Sequence, residues 1–146
     1  MAHDASFDMI YGIGGIWADA NLIAYLILPG ARTREAEAVL EADPMWAVPV
    51  LWASEMRSIL SHYVRADKLS VTQASAAMDR ATGLIDGREG PVESREVLTL
   101  SSKSGCSTYD CEYVSLAMSL GVPLVTSDKE VLRAFPRVAV SPEDFK

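Results

Sequence analysis

Four carboxylates stand where an unpaired anion is costly. Asp19 ends the apolar run Ile16-Trp17-Ala18, and Asp128 follows Leu124, Val125 and Thr126. Glu55 has Trp52, Ile59 and Tyr63 at helical spacings i−3, i+4 and i+8, so it borders an apolar stripe rather than the face carrying Arg57, Ser61 and Arg65. Asp110 shares a face with Tyr113, Val114 and Ala117, whereas Glu112, Ser115 and Ser119 occupy a separate polar one. Buried acids meet a cation or take up a proton. If the four converge, a divalent metal is the simplest account, and an all-oxygen set without histidine or thiolate suits Mg²⁺ or Mn²⁺ rather than zinc.

Each acid also has an ordinary structural role open to it. Asp19 could cap a helix beginning near Asn21, and Asp128 or Ser127 could cap one beginning at Lys129. Asp110 falls at the third position of a helix capped by Ser107, where an acid complements the helix dipole. Glu55 could snorkel from the boundary of its stripe toward a nearby arginine. Four coincidences of this kind are harder to accept than one.

The elements that must position these groups follow from periodicity and punctuation. From Gly15 onward short apolar runs alternate with amphipathic stretches, which predicts a parallel sheet covered by helices. Strands are expected at Ile16–Asp19, Met45–Val48, Leu124–Thr126 and, at an edge, Val138–Val140. Helices are expected over Asn21–Leu28, Thr33–Ala42, Leu51 to about Asp67, Ser70 toward Asp86, Glu93–Ser102, Ser107–Leu120 and Lys129–Phe135, with Trp52, Met56, Ile59, Leu60 and Tyr63 as the inward stripe of the third. Ser70 with Gln73 makes a capping box, and Gly87–Pro91 reads as a loop. Asp19 and Asp128 then lie at carboxyl ends of strands, where ligands of open α/β sheets bind.

Met1–Gly15 carries no periodic pattern and reads as a loose leader, which leaves residues 16–146 as a single domain. Its glycines make no phosphate-binding fingerprint, since no P-loop lysine follows. The 20 acids against 13 Lys and Arg give a net charge of −7. That balance argues against a generic polyanion-binding surface, though the four candidate ligands account for more than half of the excess. The remainder suits a basic protein partner. Cys106 and Cys111, five positions apart with no histidine beside them, make no zinc template and are expected as free buried thiols. No signal peptide or membrane-length apolar run is present in the sequence, so a cytoplasmic protein without a membrane partner is expected.

The segments ADANLIAYL around Asp19, VPVLWASEM around Glu55, STYDCEYVSLA around Asp110 and GVPLVTSDKEV around Asp128 together resemble the PIN-domain nucleases, and among them the VapC-type toxins of type II toxin–antitoxin pairs. The resemblance runs from Ile16 to Phe145. It implies a three-layer α/β/α fold around a mainly parallel sheet of four to five short strands. It further implies that Asp19, Glu55, Asp110 and Asp128 are both the catalytic groups and the ligands of one or two Mg²⁺ or Mn²⁺ ions, and that RNA phosphodiesters are cut by metal-activated water. Asn21, Thr126 and Ser127 are near enough to assist around them, and Lys129 is a further candidate. Arg32, Arg34, Arg57 and Arg65 are candidate phosphate contacts. The toxin form implies a small basic antitoxin and a homodimer.

Two alternatives stay within the fold: a PIN-like module that binds without cutting, and a PIN nuclease outside any toxin–antitoxin pair. Phosphoryl transfer through an aspartyl nucleophile fits less well, because that chemistry places a second acid two positions on, where this chain has Asn21.

Overall fold

A computed structural model of the protein describes residues 15–145, so the leader expected over Met1–Gly15 lies, except for Gly15, outside the described residues. Five parallel strands, β1 (Ile16–Ala18), β2 (Trp46–Pro49), β3 (Glu89–Gly90), β4 (Leu124–Val125) and β5 (Ala139–Val140), form a sheet of order β3-β2-β1-β4-β5. Among the described residues, seven helices cover it: α1 (Ala20–Ile27), α2 (Thr33–Ala42), α3 (Trp52–Arg65), α4 (Val71–Ile85), α5 (Ser94–Ser104), α6 (Thr108–Leu120) and α7 (Lys129–Ala134).

The inner strands β1, β2 and β4 are short and buried on both faces, so their side chains divide between two cores by simple alternation. Ile16, Ala18, Trp46, Val48 and Val125 pack with Leu22, Ile23, Val39, Trp52 and Met56 on the side of α1–α4. Trp17, Ala47 and Leu124 pack with Val114, Leu116 and Val131 on the side of α6 and α7. The result is the expected three-layer α/β/α arrangement. Trp46 and Trp52 are core residues, as their surroundings in the sequence required.

Three expectations change. Gly87–Pro91 contains the edge strand β3, which has no apolar periodicity to announce it. It is held by Val48 N–H donating to Arg88 O (3.0 Å), by the Arg88 guanidinium on Trp46 O (2.9 Å) and Leu84 O (2.6 Å), and by Trp52 Nε1 donating to Glu89 Oε1 (2.9 Å). Tyr63, placed on the inward stripe of α3, lies near the end of that helix and is 36% exposed. Ser115, assigned to a polar face, is buried.

The helix α6 is framed by Gly105 (φ +77°) and Gly121 (φ +65°), left-handed positions that an L side chain adopts only with strain. Ser107 Oγ caps it by accepting from Asp110 N–H (3.1 Å). Among the described residues, no helix is long and apolar enough to cross a membrane.

Candidate active site

The chain runs from β1 to β2 and β3 on one side, then crosses back to place β4 on the other side of β1. The carboxyl ends of β1 and β4 are therefore the topological switch point, where the diverging loops leave a crevice. Asp19 leaves β1 there, and Thr126 to Asp128 leave β4. From above, Glu55 arrives on the first turn of α3 and Asp110 on the first turn of α6.

All four acids line one cavity of about 240 Å³, together with Asn21, Ser58, Tyr113 and Thr126, and among the described residues no lysine or arginine joins them. A water occupies roughly 30 Å³ of liquid, so the space accommodates a hydrated ion beside a phosphate group. Among the described residues, no three acidic, histidine or cysteine side chains are close enough to hold an ion as they stand. Their charges nonetheless bear on one another. The charges of Asp110 and Asp128 act on Asp19, and that of Asp128 acts on Asp110, with no lysine or arginine among the described residues of the cavity wall to offset them.

The helix starts explain how the acids are held. Asp19 Oδ1 accepts from Leu22 N–H (2.8 Å), so the residue is both the N-cap of α1 and a wall of the cavity. Its Oδ2 accepts from the Thr126 hydroxyl (2.5 Å), whose oxygen in turn accepts from Asp128 N–H (3.1 Å). One buried hydroxyl thus ties the ends of β1 and β4 together. Asp128 caps α7 itself, its Oδ1 accepting from Glu130 N–H (2.9 Å) and Val131 N–H (3.2 Å), rather than leaving that role to Ser127. In Asp19 and Asp128, capping a helix and lining the cavity coexist.

Burial pushes the Asp19, Glu55 and Asp110 carboxyls above their ordinary values, and the neighbouring acids push the same way. Hydrogen bonds from Thr126 and Leu22 to Asp19, from Tyr113 to Glu55 and from Ser107 to Asp110 oppose the shift. Three adjoining acids that are all reluctant to ionise are what a site for a compensating cation looks like. The donors are all oxygen, and the set fits Mg²⁺ or Mn²⁺ in chemistry.

A family model described as "PIN domain" matches residues 16–140. The chain belongs to the PIN domain family. It is 30% identical to Ribonuclease VapC3 of Pyrobaculum aerophilum over 124 residues, covering 81% of this chain and 92% of that protein. Among solved structures, PAE2754 from Pyrobaculum aerophilum superposes with a TM-score of 0.67 at 22% identity, over 88% of this chain and 90% of that one. A toxin–antitoxin complex from Klebsiella pneumoniae contains a chain that matches with a TM-score of 0.62 at 17% identity, over 88% and 98% respectively.

Within this PIN domain, Asn21 and Thr126 line the acidic cavity, whereas Ser127 turns aside, its Oγ 3.1 Å from the Tyr25 hydroxyl. Lys129 is exposed and does not line it. Arg32 is engaged elsewhere: it makes a forked bond to Glu35 (2.9 and 3.1 Å) and stacks over Tyr25, 4.8 Å from the ring centroid. Arg34, Arg57 and Arg65 are exposed. Tyr113, which the sequence presents only as an apolar neighbour of Asp110, also lines the cavity. Its hydroxyl donates to Glu55 Oε1 (2.5 Å). The signal available was its position three residues after Asp110, the same helical face.

Proposed function

We propose that this PIN domain is a metal-dependent endoribonuclease acting on RNA phosphodiesters, and that it is the toxin of a toxin–antitoxin pair, with residues 16–146 as one catalytic unit. The observation that carries the reading is the meeting of Asp19, Glu55, Asp110 and Asp128, from four separate segments, in one cavity at the switch point of the sheet.

In this reading those four acids hold Mg²⁺ or Mn²⁺, directly or through water. When bound, the ion acidifies the attacking water and offsets the charge that builds on the non-bridging oxygens of the phosphodiester. The chain's own residues supply the positioning. Thr126 fixes Asp19, Tyr113 fixes one oxygen of Glu55, which lines the cavity, and Ser107 anchors the turn of α6 that carries Asp110. Asn21, exposed at the cavity mouth, is a donor for a phosphate oxygen.

Similarity to a ribonuclease along most of the chain, and to a chain from a toxin–antitoxin complex in fold, supports the toxin role. The net charge of −7 suits a small basic antitoxin, and a cytoplasmic homodimer is part of the same proposal.

The test is cleavage of structured RNA by purified protein in Mg²⁺, Mn²⁺ and EDTA, alongside Asp110→Asn. Cutting is expected with either metal and not with chelator. The variant should lose more than the about 10–100-fold typical of a group one shell away from the ion. Cleavage that survives both chelation and the substitution rules the mechanism out.

A further inference from the structure

Beside the acidic cavity lies a second groove of about 380 Å³ between α1 and α3, and the two share Asn21, Ser58 and Ile59 as a common wall. Its chemistry is the opposite of its neighbour's. Tyr25, His62, Tyr63 and Arg65 line it, and among the described residues no carboxylate does. On a chain with a net charge of −7, a groove walled by an arginine, a histidine and two aromatic rings at the edge of an acid cluster is a marked change of character.

The α3 sequence sets this pattern. Glu55, Ser58, His62 and Arg65 recur at three- and four-residue spacing, so they form one stripe that leads from the acids to the end of the helix. At 1.5 Å per residue the stripe spans about 15 Å. Tyr25 is locked, its ring beneath Arg32 and its hydroxyl 3.1 Å from Ser127 Oγ. Tyr63 is 36% exposed, with Lys68 Nζ 6.0 Å from its ring centroid. A polar end beside Asn21 and Ser58, a ring that reaches solvent, and cations beyond it match the repeating chemistry of a single nucleic-acid strand, phosphate alternating with base.

Resting on the nuclease reading above, we propose that the α1–α3 groove is the track along which single-stranded RNA leaves the acidic cavity, a base stacking on Tyr63 while the adjoining phosphates meet Arg65 and His62. The continuity of the groove with the cavity and its complementary charge select RNA over a protein partner as its occupant.

The experiment measures binding of a labelled single-stranded RNA by fluorescence anisotropy, with Mg²⁺ replaced by EDTA to prevent cutting, and cleavage of the same RNA with Mg²⁺ present. Tyr63→Ala is expected to weaken binding about fivefold or more, in line with the loss of one base stack, and Tyr63→Phe to recover it. Arg65→Gln is expected to lower the slope of log affinity against log salt by about 0.7, the value for one phosphate on a single strand, and to raise KM more than it lowers kcat. Arg95→Gln, on the exposed surface of α5, is the control and should bind and cut as the wild type does. Circular dichroism and melting establish that each variant is folded. Equal RNA binding by wild type, Tyr63→Ala and Arg65→Gln overturns the track alone, whether the groove then seats a protein or nothing. A wild type that neither binds nor cuts the RNA overturns the nuclease reading and the track with it.

Discussion

The hydroxyl of Tyr113 on α6 and Oε1 of Glu55 on α3 lie 2.5 Å apart, joining helices from the two opposite layers of the fold across the mouth of the crevice. The phenol is buried, and burial together with the Glu55 charge pushes its pKa far up, so it remains a donor at any working pH. The carboxylate is aimed by a group from the far side of the sheet. Removing that hydroxyl with Tyr113→Phe should cost about 1–2 kcal/mol, below the full range for a charged acceptor because Glu55 is only half-buried. It should also weaken Mn²⁺ binding on the order of tenfold by calorimetry. Unchanged Mn²⁺ affinity in a folded variant would mean that the contact serves packing alone.

The threonine between the two strand ends makes a second prediction. Thr126 is buried, and its hydroxyl serves Asp19 and the Asp128 backbone at once. Thr126→Val keeps the shape but strands both partners, at a cost of about 1–3 kcal/mol in urea unfolding. Thr126→Ser, which retains the hydroxyl, should recover most of it. Equal losses in the two variants would point to the methyl group instead.

Stability should fall as pH rises through the acid range. Burial raises the folded-state pKa of Asp19 above its ordinary 3.8, and those of Glu55 and Asp110 above 4.5 and 3.8. A raised folded value means that the stabilising contribution is complete below the unfolded pKa and is lost as pH climbs through the folded one. The metal-free protein should therefore melt at lower temperature at pH 7 than near pH 5 in this respect, and Mg²⁺ should give a larger gain in Tm at the higher pH. Asp19→Asn should shallow the slope and abolish much of the gain. A Tm of the metal-free protein that rises steadily from pH 4 to 7, unaffected by Asp19→Asn, contradicts raised folded-state pKa values for these acids.

Cys106 and Cys111 are free and buried under α5, and burial also raises the Cys111 thiol. Neither should react with a disulfide reagent on the timescale of exposed thiols until the protein unfolds, because the thiolate is the reactive form. Rapid release of two equivalents from the native protein would show that the α5–α6 junction opens.

Much of this was legible from the chain alone. Alternation of short apolar runs with amphipathic stretches determined the parallel sheet and its helices, because periodicity is local and the inner strands are buried on both faces. The four acids stood out because each breaks such a pattern, and Ser70, Ser107, Gly105 and Gly121 mark helix ends through chemistry confined to a few neighbouring residues. What sequence spacing could not supply was anything set by partners far along the chain. The strand Glu89–Gly90 exists through bonds to Trp46, Val48 and Trp52. The roles of Tyr113 and Thr126 depend on acids 58 and 107 residues away, and the exposure of Tyr63 depends on where α3 runs out of sheet to cover it. Local pattern chose the elements and the acids, and only the tertiary fold decided which side chains hold them in place, since hydrogen bonds and burial act through space.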